Sequence, residues 1–493
     1  MFRFRIRQYV LGPRRPLRRG KLLVLMSVLM PTLICIGGLV IDGGVMTATT
    51  RKAQHAADAA ASAAAAEMVY GDKSPSQVAE RYVRELNRLT TATVTTNVPP
   101  SSGVYAGEDG YVEVIVSVPV QTHLMKLSGT TSVRVRSVAG REPVTSSAAV
   151  VVLDPDPPTI NVLGLPIALP SVTPLLGGLE VLGLGSVAID GAIHVNNKWG
   201  GYDENDQRVG ESGLRHACSC TPLLPLTRIR CRDLRVVGGV DDPDCYRAFA
   251  SGGDPPLKAN RFPVPDPYAE LPVPTTSADP NNVSTVNRGT ATVIGLPLIG
   301  PPVTLRPGVY EWIQVVSGKA IFEPGIYIIR GKNPLTQISL SVIAGEVDAR
   351  GVMFYITDTA SYSPSSGLPD AADGETSPGN PGVLNLLPSV LIDTALPGNR
   401  FSPLNSPGSP FHGMLLMQRR QDRRPILLIR QALLGNVDIA GNFYAKWGHV
   451  ILTGNGAFRS AFVCGSLRIL DVLNCQITPI TPLPAARDVF LVE

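Results

Sequence analysis

At 493 residues the chain is long enough for two or three domains, and a 44% hydrophobic content supplies real cores, which excludes a disordered protein. Charged residues are only 17%, and 48 Gly with 44 Pro punctuate roughly one residue in five, a composition that favours many short strands over long helices. Of the net +4, eight positive charges (Arg3, Arg5, Arg7, Arg14, Arg15, Arg18, Arg19 and Lys21) precede the first acid, Asp42, leaving −4 on the remainder, so no nucleic-acid partner is expected.

Residues 1–21 read as a basic cytoplasmic tail. Leu22 to Ile41 follow without a charge. At about 1.5 Å per residue these twenty residues match a hydrocarbon core about 30 Å thick. A cleaved signal peptide is the competing reading, but no A-x-A-like site follows Ile41, which favours an anchor. Pro31 is tolerable in a membrane helix at the cost of a local kink. Arg18, Arg19 and Gly20 on one side and Asp42 on the other mark the two membrane boundaries. The charge asymmetry predicts a single-pass membrane protein with its N-terminus in the cytoplasm and its C-terminal region extracytoplasmic.

Residues 42–153 are expected to form an Ala-rich helical stalk and a small α+β module. The run to Tyr70 has the highest intrinsic helix propensity available, and Ser74-Pro75-Ser76-Gln77 offers a cap for a second helix to about Leu89. Ala56, Ala57, Ala60, Ala61 and Ala64 predict a face for close approach to similar helices. Tyr111 to Val120 and Thr131 to Val138 alternate apolar with polar and read as an antiparallel pair. The Pro-rich stretch 154–158 reads as a stiff linker.

Residues 159–480 are expected to form a large, mostly β domain. Ile160 to Leu179 is uncharged but carries three prolines, each costing a helix about 3 kcal/mol, so short buried strands are expected there. Gly-led apolar runs recur, and a Pro-Gly-aliphatic-Tyr element appears at Pro307 to Tyr310 and again at Pro324 to Tyr327, seventeen residues apart. Such spacing without intervening helices predicts a β-solenoid, with a sandwich as the alternative. Residues 358–410 read as a long loop or disordered insertion, and 481–493 as a C-terminal tail.

From Arg18 to Ala66 the chain resembles the N-terminal segment of TadG-like Flp pilus-assembly proteins. Arg18, Arg19 and Gly20 precede the span, Asp42 and Gly44 follow it, and Gln54, Ala56, Ala57, Asp58, Ala60 and Ala61 lie in the Ala-rich motif. Asp266 to Pro274 and the two Pro-Gly-x-Tyr elements resemble a Gly-rich β region of some members. The resemblance implies a pilin-like module on a membrane helix, a structural role, and other Tad/Flp assembly proteins as partners. The fifth residue after Gly20 is Leu25 where processed relatives carry Glu, which argues for an uncleaved anchor.

Six cysteines outside the span (Cys218, Cys220, Cys231, Cys245, Cys464 and Cys475) are disulfide candidates; local closure suggests Cys464 with Cys475 and two bridges among the first four. A metal site from His216, Cys218, Cys220 and Cys231 is the sharper alternative, though its spacing fits no usual zinc signature, and no metal or cofactor is assigned. Asp241, Asp242 and Asp244 read as a turn, and Arg419, Arg420, Arg423 and Arg424 as a charged turn. No His-Glu-x-x-His, Gly-x-Ser-x-Gly or phosphate-binding loop occurs, so no catalytic residue is named. A membrane-tethered polysaccharide-acting enzyme, or a β-helix that binds surface glycan, is the alternative function.

Overall fold

The computed structural model describes residues 19–70, 74–121, 131–144, 148–162, 177–220, 228–261, 263–296, 300–380, 383–393, 398–430, 438–454, 456–484 and 486–492. Arg18 and Gly71 lie outside these residues, as does 163–176 of the second apolar stretch. The chain divides into two units, residues 1–142 with 489–493, and residues 143–488.

In the first unit, helix α1 runs unbroken from Arg19 to Tyr70, 52 residues or about 78 Å, with Pro31 inside it. It is long and apolar enough to cross a membrane. Its Ser27 and Thr32 hydroxyls donate to the carbonyls of Val24 and Val28, so they need no outside partner. Helix α2 (Pro75–Arg81) starts as its residues dictate: the Ser74 side chain accepts from the Gln77 N–H at the N-cap, and Pro75 opens the first turn. A short π-helical turn, Tyr82–Leu86, extends it. Strands β1 (Thr93–Asn97), β2 (Tyr111–Val120) and β3 (Thr131–Val144) pair antiparallel in that order.

The alternation in β2 explains the packing. Val112, Val114, Val116 and Val118 point to one face and are buried against the Ala-rich half of α1. Ala56, Ala57, Ala60, Ala61 and Ala64 are fully buried there. The Ala face expected to meet other helices is therefore occupied by the chain's own small sheet and α2; small side chains let β2 lie close to α1. Glu113 points to the opposite face of β2, where Asn97, the Ser101 and Ser102 hydroxyls, the Ser101 N–H and Arg136 all donate to its carboxylate. Burial works to raise this carboxyl, but those donors outweigh it and hold it well below the usual range.

The second unit begins earlier than the Pro-rich stretch suggests. Ala148–Val152 is a wholly buried strand of this unit, paired in parallel with Phe462–Ile477 and Ala192–Val195. Residues 154–158 are not a free linker: Asp154 is buried, and Asp156 accepts from the Trp199 indole. The described residues of 358–410 are not a disordered insertion either, since they contain Val383–Leu386, Val390–Asp393 and Arg400–Pro403, and bury Tyr362 and Asp370. The expected tail is also a strand, Ala486–Leu491, which takes the place beside β3 in the small sheet.

Apart from a short hairpin at Gly201–Tyr202 and Arg208–Val209 and a separate parallel pair of Thr159–Val162 with Val383–Leu386, the strands of the second unit stack in three parallel ladders. In the first ladder, register partners line up a continuous inward row: Tyr327, Phe354, Leu416, Phe443, Phe462, Val150, Ile193, Leu234 and Leu257. All belong to one apolar core. Parallel strands buried on both faces make runs such as GIYII and MLLM apolar throughout.

The order of the stack is not the order of the chain. Residues 148–258 start beside the last strand, Phe462–Ile477, and wind away from it. The chain then resumes at Asn287–Val293, at the far end, and winds back. Residues 263–286 join the two halves as a strap across the outer face of the first ladder. Along it, Val264 exchanges hydrogen bonds with Asn196, Asp266 accepts from the Tyr444 hydroxyl, and the Pro274 carbonyl accepts from Tyr362. Further on, the Asn282 carbonyl meets the Ile326 N–H, and the Val286 carbonyl meets the Val309 N–H. Tyr268, Val273 and Val283 fill a second apolar layer beneath it. The Asp266 to Pro274 motif is this strap's first half.

The Pro-Gly-x-Tyr repeat also acquires a physical role. The Tyr310 hydroxyl donates to the Arg306 carbonyl at 2.6 Å, and Tyr327 donates to the Glu323 carbonyl at 2.8 Å, each bond bracing the corner from which the strand departs. Gly308 and Gly325 sit at positive φ, 153° and 136°, and a Cβ on Gly308 would come within 2.7 Å of the Val286 carbonyl.

Candidate functional site

The residues that could act outside the fold are concentrated in α1. From Leu23 to Ile36 its side chains are exposed, among them Leu23, Val24, Met26, Val28, Leu33 and Ile34. A row of apolar side chains left bare marks a surface for contact with another protein or a membrane. Asp42 is buried at the end of this stretch, and from Ala53 to Ala65 the helix is covered by the first unit. Gln54 braces that half, donating to Asp58 at 2.7 Å and to the Arg136 carbonyl at 3.2 Å. One helix thus has two environments, changing near Asp42. Residues 20–67 match the Flp pilus-assembly TadE/G-like family model.

This TadE/G-like segment covers both halves of α1 and stops before α2. No curated protein matches the chain. Among solved structures, the competence-associated pilin ComZ from Thermus thermophilus aligns over 82% of this chain and 83% of its own, with 10% identity and a TM-score of 0.21.

The cysteines resolve differently from the expectation. Cys220 and Cys245 form a disulfide with Cα atoms 6.5 Å apart, tying the strand end after His216–Ser219 to the turn Pro243–Cys245 one tier on. Cys464 is not bridged to Cys475. Both lie on Phe462–Ile477, but Cys464 stacks between Ala445 and Val152 in one ladder, and Cys475 between Gly456 and Val187 in another. Cys218, Cys231 and Cys464 are buried thiols; burial pushes each up, Cys231 to about 12. The metal alternative fails on chemistry, since Cys220 is spent in the disulfide and the His216 ring faces the Gly200 carbonyl.

The acidic cluster is a turn, as its residues predict. Asp241 accepts from the Ser219 hydroxyl and the Cys220 N–H, Asp242 caps the short helical turn, and Asp244 pairs with Arg247 at the surface.

The arginine run is a turn too, but its charges are used inside the protein. Arg419 makes a bidentate pair with Asp373. Arg420 donates to the Tyr268, Ala269 and Leu271 carbonyls and to Tyr444, gripping the strap. Arg423 binds Asp154 at 2.6 Å, and Arg424 binds Asp422 and Asp358. Close by, Lys446 is buried against Glu375 and Asp266, and burial depresses its ammonium. A charged turn is what the local sequence shows, because nothing local distinguishes an arginine in an exposed turn from one under a strap 150 residues away. The one available signal was their position between two wholly apolar runs.

Proposed function

We propose that the chain is a membrane-anchored, non-enzymatic component of a Flp/Tad-type pilus or a related surface system, with residues 1–21 in the cytoplasm, residues 22–41 in the bacterial inner membrane and residues 42–493 on the extracytoplasmic side. The observation that carries this reading is the coincidence of the TadE/G-like match with a helix that is bare and apolar in its first half and packed in its second. The basic tail before the span sets the orientation. The first unit is then a pilin-like module, its outer helix half lying on an antiparallel sheet. The second is a β-solenoid built of three ladders.

A structural role is supported by what its polar groups do. Asp241, Asp370, Arg420 and Lys446 serve turns, braces and the strap, so the chemistry that a glycan-cleaving enzyme would need is committed to holding the fold. The test is recovery of the tagged full-length chain from native membranes. Flp/Tad assembly proteins should copurify after detergent solubilisation. Recovery from the soluble fraction, or from membranes free of those proteins, would overturn the reading.

A further inference from the structure

The strand stack has two open ends. At one, Asn287–Val293 and Val303–Leu305 pair on one side only, with Gly308–Val315 and Lys319–Phe322, among the described residues. Between them lies a depression of about 340 Å³ lined by Arg288, Thr292, Val303, Thr304, Arg306 and Tyr310. Around it Val286, Ile294, Leu296 and Val303 are 42–71% exposed. At the other end, Tyr246–Ala248 and Leu257–Lys258 are likewise paired on one side only, with Arg228–Cys231 and Asp233–Val236, while the remaining ladder runs from Cys218 through Val240 to Tyr202 of the antiparallel hairpin, which covers it. An unpaired strand edge with apolar flanks is a template for another strand.

We infer that the stack continues from one copy of this chain into the next, head to tail, the Asn287–Val293 end of one molecule meeting the Leu257–Lys258 end of another. Three features select this occupant. Every pairing within the ladders is parallel, and joining unlike ends keeps strand direction and the ladders' order, whereas joining two like ends by a two-fold axis would set the strands antiparallel. The ends are complementary in charge: residues 287–306 carry Arg288 and Arg306 and no acid, while 241–258 carry Asp241, Asp242, Asp244 and Asp254 against Arg247 and Lys258. Two arginine ends facing each other repel. Asn287 and Val303–Leu305 lie in the same two ladders as Leu257–Lys258 and Tyr246–Ala248, so these edges can meet in register.

Because the contact is heterologous, it does not close on itself, and repetition would lengthen the stack into a fibre. This rests on the solenoid reading of the second unit but not on the pilus assignment.

The test uses the purified full-length protein in detergent, with Cys35→Ser as background because Cys35 is exposed. Asn287→Cys and Lys258→Cys are each placed on an exposed edge position of the same ladder. A short bismaleimide should link dimers only when the two variants are mixed, and should give a ladder of oligomers from the doubly substituted chain. Raising salt, or Arg288→Glu with Arg306→Glu, should lower the yield about fivefold. Linkage of either single variant to itself, or no linkage in the mixture, would overturn the inference. Thr304→Cys with Ile321→Cys, register partners on adjacent strands, reports the stack itself. An intrachain link there without interchain links rejects the end-to-end contact alone; absence of both rejects the stack.

Discussion

Arg423 donates to Asp154 at 2.6 Å across 269 residues of chain, and both side chains are buried. The bond pins the first residues of the second unit to the turn between Met414–Gln418 and Pro425–Arg430, late in the chain. Breaking a buried pair from one side leaves an uncompensated charge, so Arg423→Ala should cost about 3–5 kcal/mol. Asp154→Leu with Arg423→Met should cost less. Denaturant unfolding followed by tryptophan fluorescence isolates the effect, because Trp199, Trp312 and Trp447 all belong to the second unit. Equal losses in the single and double variants would count against the pair.

The Cys220–Cys245 disulfide closes a loop of 25 residues. Replacing both with Ala should lower the stability of the second unit by about 3 kcal/mol, an estimate from the entropy of loop closure. Reduction of the native protein should do the same, while Cys464→Ser should leave the redox response unchanged. A stability independent of reductant would remove the bridge.

How much was legible beforehand follows from how local the signals were. The uncharged run to Ile41, the Ala-rich motif, the Ser74 cap and the β2 alternation each depend on neighbours within a few residues, and they foretold α1, α2, β2 and β3. The Pro-Gly-x-Tyr corners were visible as a repeat although their hydroxyl bonds were not. What escaped was long-range: the entry of Ala148–Val152 beside Phe462–Ile477, the strap 263–286, the strand Ala486–Leu491 and the buried arginines. The Ala face was recognised as a packing surface but assigned to the wrong partner, since composition says that a face is close-packed without saying by what.

Acid should destabilise the second unit through its histidines. His449 is buried beside Ser466, and burial, with Arg468 nearby, pushes it down from 6.5 to about 3. Burial pushes His194 down to about 4, with Arg235 adding and Asp233 opposing. A histidine depressed in the folded state takes its proton more readily when unfolded, so stability is full above pH 6.5 and falls as pH drops from there toward 3–4. His449→Gln should flatten this slope in tryptophan-monitored unfolding, even if it lowers the plateau. An unchanged slope would exclude His449.

In the first unit, Ala60→Leu forces a large side chain between α1 and the sheet and should cost about 1–3 kcal/mol. Far-UV circular dichroism and proteolysis should report the loss, with the tryptophan transition unmoved. A neutral effect would mean that this face of α1 is free rather than covered.

The central claim, an anchor with residues 42–493 outside, is tested most directly by thiol accessibility in intact spheroplasts. In a Cys35→Ser background the buried thiols Cys218, Cys231 and Cys464 stay unreactive, because burial both shields them and keeps them protonated. A membrane-impermeant maleimide should label Asp254→Cys before lysis and Gln8→Cys only after it, with the chain retained in alkali-washed membranes. Labelling of Asp254→Cys only after lysis, or release of the chain by alkali, would contradict the account.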